Sequence, residues 1–349
     1  MSKQLEFEKG DGILISRTDR LGDLILALPF VETISERYPQ CRVDVISSLY
    51  ASPILENNKR IHKILRVQND QLLTNKLYKK DLLQKIKKEK YKAVVALYPE
   101  RQMSRLFYKA EIPYRLGTAG RFHSVFFNMR LVHSRKKNLK HEYEYNLDFL
   151  RFFRRGKTVD FPNVYLRPKE INNARRILNE AGVSDHFVVI HPGSGGSAER
   201  WPLENFIRLY RLLKQHGIEL VVSGSEEEGE VIAEAEKALG IPVRKITGQT
   251  DLRTLAAVLS LANLVVANST GPLHLAVAVG THGVGLYPSR KAMSPLRWGP
   301  LGAGGRVIQP VGVECKCPPR HCKCMETITP ERVMNEILEM LQTAPEAKR

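Results

Sequence analysis

The chain has 349 residues, 43% of them apolar and 26% charged, enough to build two hydrophobic cores and unlike the composition of a disordered protein. No run of about 18 apolar residues occurs, which excludes a membrane-spanning helix. The polar opening MSKQLEFEKGDG is not a secretory signal, so the expected location is the cytoplasm. The formal net charge of +17 sits almost wholly in the first half: residues 1–170 hold 34 Lys and Arg against 19 Asp and Glu, and the remainder holds 20 against 18. That half should meet an anionic partner, whether nucleic acid, an acidic membrane surface or a phosphorylated acceptor. The run from Lys76 to Lys92 reads most simply as the polar side of an amphipathic helix, whereas the arginines between Arg101 and Arg155 suit fixed phosphate or carboxylate contacts.

In chain order, GILIS (12–16) reads as a first strand, followed by a polar turn and a helix from about Gly22 to Tyr38. RVDVISS (42–48) is the next strand, and a Lys-rich helix precedes YKAVVAL (91–97). A Pro-marked stretch near 168–182 enters a helix and marks the domain boundary. FVVIHPG (187–193), IELVVSG (218–224), NLVVANS (263–269) and HGVGLYP (282–288) follow, with helices around 203–216, 227–239, 251–262 and 271–280. Short apolar runs bounded by Gly, Pro and polar clusters are what strands of a parallel sheet covered on both faces look like. Their alternation with helices implies an α/β chain of two Rossmann-like, doubly wound domains, residues 1–172 and 173–349, facing each other across a cleft.

Ligands of open parallel sheets bind beyond the carboxyl ends of the strands, which singles out four loops. SRTDRLGDLILALP (16–29) has one glycine, Gly22, so it is not a dinucleotide fingerprint. Its Asp23 stands at a helix start, where capping is the simplest role and a general base the sharper one. HPGSGGSAERWP (191–202) offers exposed amides, the hydroxyls of Ser194 and Ser197, and the charge of Arg200, a combination that can cradle phosphate. SGSEEEGE (223–230) places carboxylates where they can hold ribose hydroxyls or simply favour a helix start. In ANSTGPLHLAVAVG (267–280), Thr270 and Gly271 precede Pro272 at a first helical position, an anion site, with His274 one turn in. Two phosphate-friendly loops in the second domain and a carboxylate in the first suit transfer from a pyrophosphate-linked donor.

The five cysteines sit in a chain without an export signal, so disulfides are not expected. Cys315, Cys317, Cys322 and Cys324 could supply a tetrahedral metal site, but C-x-C is tighter than the usual gap, and reduced thiols lining a loop are the default.

RTDRLGDLILALP, HPGSGGSAERWP and TGQTDLRTLAAVLSLANLVVANSTGPLHLAVAVG, in this order and spacing, resemble glycosyltransferase family 9, the ADP-heptose:lipopolysaccharide heptosyltransferases of GT-B fold. HEYEYNLDFL (141–150) and CMETITPERV (324–333) extend the resemblance over nearly the whole chain. It implies that Asp23 deprotonates the acceptor hydroxyl, that Ser194, Thr270, Gly271 and His274 hold the donor diphosphate and sugar, and that Glu228 meets the nucleotide ribose. It further implies inversion, with no metal and no cofactor. The first domain would then bind the acceptor, a phosphorylated, Kdo-bearing lipid A precursor at the inner face of the inner membrane, and the second the nucleotide sugar. Arg17 and Arg20, beside the candidate base, are acceptor contacts or else offset nearby carboxylates. Two positions depart from the pattern. Glu199 stands where the family usually has Lys, leaving Arg200 to substitute, and Ser269 stands where Asp is frequent. These motivate a relative with another nucleotide sugar as donor. A non-catalytic binder of anionic glycolipid is the alternative from a different class. Nucleic acid is not expected, because aromatic residues for base stacking are sparse in the Lys run.

Overall fold

The computed structural model describes residues 4–132, 135–196, 198–302, 304–312, 315, 317 and 323–343. The chain forms two compact units, Met1–Tyr165 and Leu166–Arg349.

The first unit is built on a six-stranded, wholly parallel sheet. Its strands are β1 (Gly12–Arg17), β2 (Arg42–Ser48), β3 (Lys63–Val67), β4 (Tyr91–Ala96), β5 (Tyr114–Thr118) and β6 (Met129–Leu131), in the spatial order β3-β2-β1-β4-β5-β6. Ile15 of β1 faces Val45 on one side and Val95 on the other, and all three are fully buried. The connections carry α1 (Leu21–Ile25), α2 (Leu28–Arg37), α3 (Asn69–Thr74), α4 (Lys76–Lys88), α5 (Arg101–Lys109) and α6 (Glu142–Leu147). The single helix expected over 22–38 is two, because Pro29 lies in the first turn of α2 and lacks the N–H that would continue α1. The Lys-rich helix is α4, capped by Asn75, whose side chain accepts from Leu77 N at 2.9 Å and Tyr78 N at 3.1 Å, and it buries Leu82 and Ile86. The unit's last residues are tied back by the buried carboxylate Glu32, which accepts from Asn58 Nδ2 at 3.1 Å, Arg60 Nη1 at 2.8 Å and Tyr165 OH at 3.3 Å.

The second unit carries a five-stranded parallel sheet: β7 (Phe187–His191), β8 (Glu219–Val222), β9 (Leu264–Asn268), β10 (His282–Leu286) and β11 (Gly305–Ile308), in the order β11-β10-β9-β7-β8. Its helices are α7 (Pro168–Glu180), α8 (Leu203–Gln215), α9 (Glu226–Leu239), α10 (Leu252–Leu261), α11 (Gly271–Ala278), α12 (Pro295–Trp298) and α13 (Pro330–Thr343). Val189 lies between Val221 and Val265 at the centre of the sheet. The expected boundary at 172 falls inside α7. That helix belongs wholly to the second unit, where Arg253 of α10 grips Glu170 through Nε at 2.8 Å and Nη2 at 2.7 Å. Among the described residues, no helix is long and apolar enough to cross a membrane.

Candidate active site

In the first unit the site is built where β1 ends. Arg17, its last residue, is buried, and all five of its N–H groups meet protein acceptors. Nε donates to Asp19 Oδ1 at 2.8 Å, Nη1 to Asn146 Oδ1 at 3.0 Å and Glu142 Oε1 at 3.2 Å, and Nη2 to the same Glu142 oxygen at 3.2 Å and to Asp23 Oδ1. Burial works against the Arg17 charge, but Asp19, Asp23 and Glu142 together outweigh it and hold the guanidinium well above its ordinary value. Burial likewise pushes the Asp19 carboxyl up to about 7, with Arg17 opposing and Asp23 adding. Glu142 is fully buried and also accepts from Arg135 Nε at 3.0 Å, and Asn146 Nδ2 is fixed on Leu26 O at 3.0 Å.

Asp23 sits half-buried in the first turn of α1, facing Arg17. The helix cap is Arg20, which is exposed and makes no side-chain capping bond. The expectation for Arg17 changes here. All five of its donors meet acceptors inside the protein, the arrangement expected of an arginine that offsets nearby carboxylates.

β4 neighbours β1, so their following loops meet. Thr18 Oγ1 donates to Glu100 Oε2 at 3.0 Å, and Tyr98 lies between Arg17 and Arg121, 5.7 Å and 5.4 Å from their guanidinium carbons. Beside them opens a cavity of about 420 Å³, lined among others by Asn69, Tyr98, Glu100, Arg101, Arg121 and His123. Burial lowers the His123 ring, with Arg121 and Arg101 adding and the Pro99 carbonyl opposing. Polar side chains, an aromatic ring and guanidinium groups together suit an anionic ligand.

In the second unit the order β9-β7-β8 places the loops after these three strands side by side. Asn268, fully buried at the end of β9, joins two of them: its Oδ1 accepts from Trp201 N at 2.9 Å and its Nδ2 donates to Pro192 O at 2.8 Å. Arg200 Nε donates to Ser194 Oγ at 2.9 Å, which sets a cation on the Gly/Ser turn. Thr270 is the cap residue of α11 but gives it no side-chain cap; its hydroxyl donates to Asn268 O at 3.2 Å. The start of α11, with Gly271 first and buried His274 one turn in, therefore carries no side-chain cap from Thr270, and a helix start of this kind has the positive end that favours anions. Glu228 completes a capping box with Ser225, accepting from Ser225 N at 2.9 Å. Its carboxylate also lies against Gly193, where a Cβ would come within 2.1 Å of Oε1. The helix-start reading of the acidic turn therefore holds for Glu228, and the same carboxylate borders the Gly/Ser turn. Buried His191 pairs through Nδ1 with Ser223 Oγ at 3.0 Å, and burial lowers its ring, with Glu228 opposing.

Glu199, standing where a lysine was expected, is buried and lies 3.5 Å from Arg290 Nη2. Cys315 and Cys317 are half-buried and Cys324 is buried, whereas Cys322 and Ser197 lie outside the described residues. Among the described residues, no group of three or more His, Cys, Asp or Glu could hold a metal.

The family model described as Glycosyltransferase family 9 (heptosyltransferase) matches residues 80–326. The chain belongs to glycosyltransferase family 9. A Haemophilus influenzae relative, whose glycosyltransferase assignment is itself provisional, is 28% identical over 83% of this chain and 86% of its own. The crystal structure of a family 9 glycosyltransferase from Veillonella parvula superposes with a TM-score of 0.87 at 20% identity, covering 98% of this chain and all of that one. Escherichia coli ADP-heptose lipopolysaccharide heptosyltransferase II follows at 0.77 and 21%, with 95% and 98% covered. The two parallel sheets are those of the GT-B-like heptosyltransferase fold, and the protein is a transferase of this family.

Sequence reasoning missed Glu142 and Asn146, although HEYEYNLDFL contains both, and named Arg135 only within the group of arginines suited to phosphate or carboxylate contacts. It also missed Asn268 as a joint between loops and Arg290 as the partner of Glu199.

Proposed function

We propose that this protein transfers heptose from ADP-heptose to a Kdo- or heptose-bearing, phosphorylated lipopolysaccharide core acceptor, inverting the anomeric centre. Asp23 takes the proton of the attacking hydroxyl. Arg17 positions it and stabilises its charged form. The single observation that carries this reading is the half-buried Asp23 carboxylate, held by a saturated, buried arginine at the carboxyl end of β1. The diphosphate leaving group would take its stabilisation from the start of α11 at Thr270 and Gly271, from Ser194 and Arg200, and from His274, while Glu228 meets the ribose. The acceptor's acidic group is read into the cavity beside Tyr98, with Arg101 and Arg121 in the role first given to Arg17, and Arg20 remains a surface contact. Residues 1–165 would thus bind the acceptor and 166–349 the nucleotide sugar, with peripheral contact at the inner membrane. The test is Asp23→Ala: transfer should be abolished while stabilisation by ADP persists, and retained turnover would remove Asp23 from the role of base.

A second reading keeps the mechanism and changes the donor. It is favoured by the Glu199–Arg290 pair, which puts a different charge pattern behind the Gly/Ser turn, and by Ser269. A thermal-shift panel of ADP-, UDP- and GDP-sugars separates the two. A ligand at about one hundred times its Kd should add roughly 2.7 kcal/mol.

A further inference from the structure

The first unit leaves large apolar side chains bare along one edge of its sheet. Tyr50, 69% exposed, follows β2; Leu73 at 65% and Leu77 at 78% follow β3; Phe122 at 85% and Val125 at 63% follow β5; Val132 at 90% follows β6. All six lie in segments leaving the carboxyl ends of parallel strands, the edge that also carries Asp19 and Asp23. The cavity beside Tyr98 is lined by both Leu73 and Arg121, so the α3 segment and the 121–126 segment are neighbours there. Exposed apolar residues scattered singly are ordinary, but a row along one edge marks an interaction surface.

The charge around the row says what it meets. Lys76 and Lys80 of α4, on either side of Leu77, are exposed, and among the described residues neither forms an ion pair. A protein partner's interface is depleted of lysine at its core, whereas apolar tips interleaved with lysine and arginine fit an acidic lipid surface. We propose that this edge is the docking surface for an anionic lipid bilayer, with the apolar tips entering the headgroup boundary and the cations meeting acidic headgroups. The proposal rests on the reading of a membrane-borne acceptor and names the face that would meet it, bringing the candidate base to the bilayer.

The full chain should co-sediment with vesicles of phosphatidylcholine mixed with phosphatidylglycerol and weakly with phosphatidylcholine alone. Lys76→Gln and Lys80→Gln should each weaken binding about fivefold. Phe122→Ser with Val125→Ser should weaken it about tenfold or more. Where that pair lowers the melting temperature, Tyr50→Ser with Leu77→Ser carries the same test on separate segments. Absence of binding to either vesicle overturns the proposal, as does binding that the serine variants leave unchanged. Loss through the lysines alone would reduce the edge to a charged patch and overturn insertion. Transfer to a deacylated, water-soluble acceptor, which the serine variants should retain, separates the readings. Vesicle binding without transfer removes the function alone, and transfer without vesicle binding removes this surface alone.

Discussion

Glu142 lies 125 residues beyond Arg17 in the chain, yet its Oε1 accepts from both terminal nitrogens of that arginine at 3.2 Å. The arginine thereby joins three carboxylates, two of which, Asp19 and Asp23, reach the surface of the site.

Removing that arginine should therefore cost more than one contact. Arg17→Ala leaves Asp19, Asp23 and Glu142 together without their shared cation, and unfolding by urea at neutral pH should show a loss of about 3–5 kcal/mol. Arg17→Lys keeps the charge but not the five-way geometry, and should retain fold better than transfer rate. An Arg17→Ala protein as stable as wild type would contradict the arrangement.

Asp19 makes the site sensitive to pH. Its carboxyl is raised in the fold from the ordinary 3.8 to about 7, so the folded state binds the proton more tightly than the unfolded chain. The stability this contributes is complete below about pH 4 and is lost as pH rises to about 7. Asp19→Asn removes that titration. The stability of wild type relative to Asp19→Asn should fall between pH 4 and 7, and an inflection near pH 7 in kcat/KM should disappear in the variant. Parallel stability curves would show that Asp19 titrates normally.

Gly193→Ala is a test of donor binding that leaves the backbone unstrained. Its Cβ would come within 2.4 Å of the Glu228 carboxyl carbon, so the carboxylate must move. If Glu228 holds the ribose, ADP affinity measured calorimetrically should drop tenfold or more, an effect on the order of 1.4 kcal/mol, beyond the roughly 0.5–2 kcal/mol of stability that the disturbed helix cap costs. Unchanged affinity would leave Glu228 as a helix cap only.

Asn268→Ala orphans the Pro192 carbonyl and the Trp201 amide, at about 1–3 kcal/mol for each buried group left unpaired. Lower stability together with weaker ADP binding is expected, because the same residue fixes the Gly/Ser turn beside α11. A stability loss with full nucleotide affinity would show that the turn orders itself without it.

Much of this was legible from periodicity. β1, β2, β4, β7, β8, β9 and β10 are buried apolar runs, and each was placed within two residues at either end. β3, β5, β6 and β11 escaped because they are short or lie toward the sheet edges, where KILRV and GRVI mix charged and apolar residues without a clear period. The loops carrying Ser194, Arg200, Glu228 and Thr270 could be found because the carboxyl-end rule depends only on strand direction. The role of Arg17 could not. Its partners Glu142 and Asn146 come from α6, and nothing local in the sequence says that α6 returns to β1. For the same reason Glu199 read as a lost lysine, while Arg290, 91 residues further on, was invisible as its counterpart.

Every strand of each sheet runs the same way, so all the loops that hold candidate chemistry leave from one edge while the packed interiors lie elsewhere. The two can drift apart in sequence at different rates. A change of sugar or nucleotide then requires exchanging a few side chains at strand ends, not refolding a core. The Glu199–Arg290 pair, 91 residues apart in the chain and 3.5 Å apart in space, shows that such an edge lets distant loops share one charge balance.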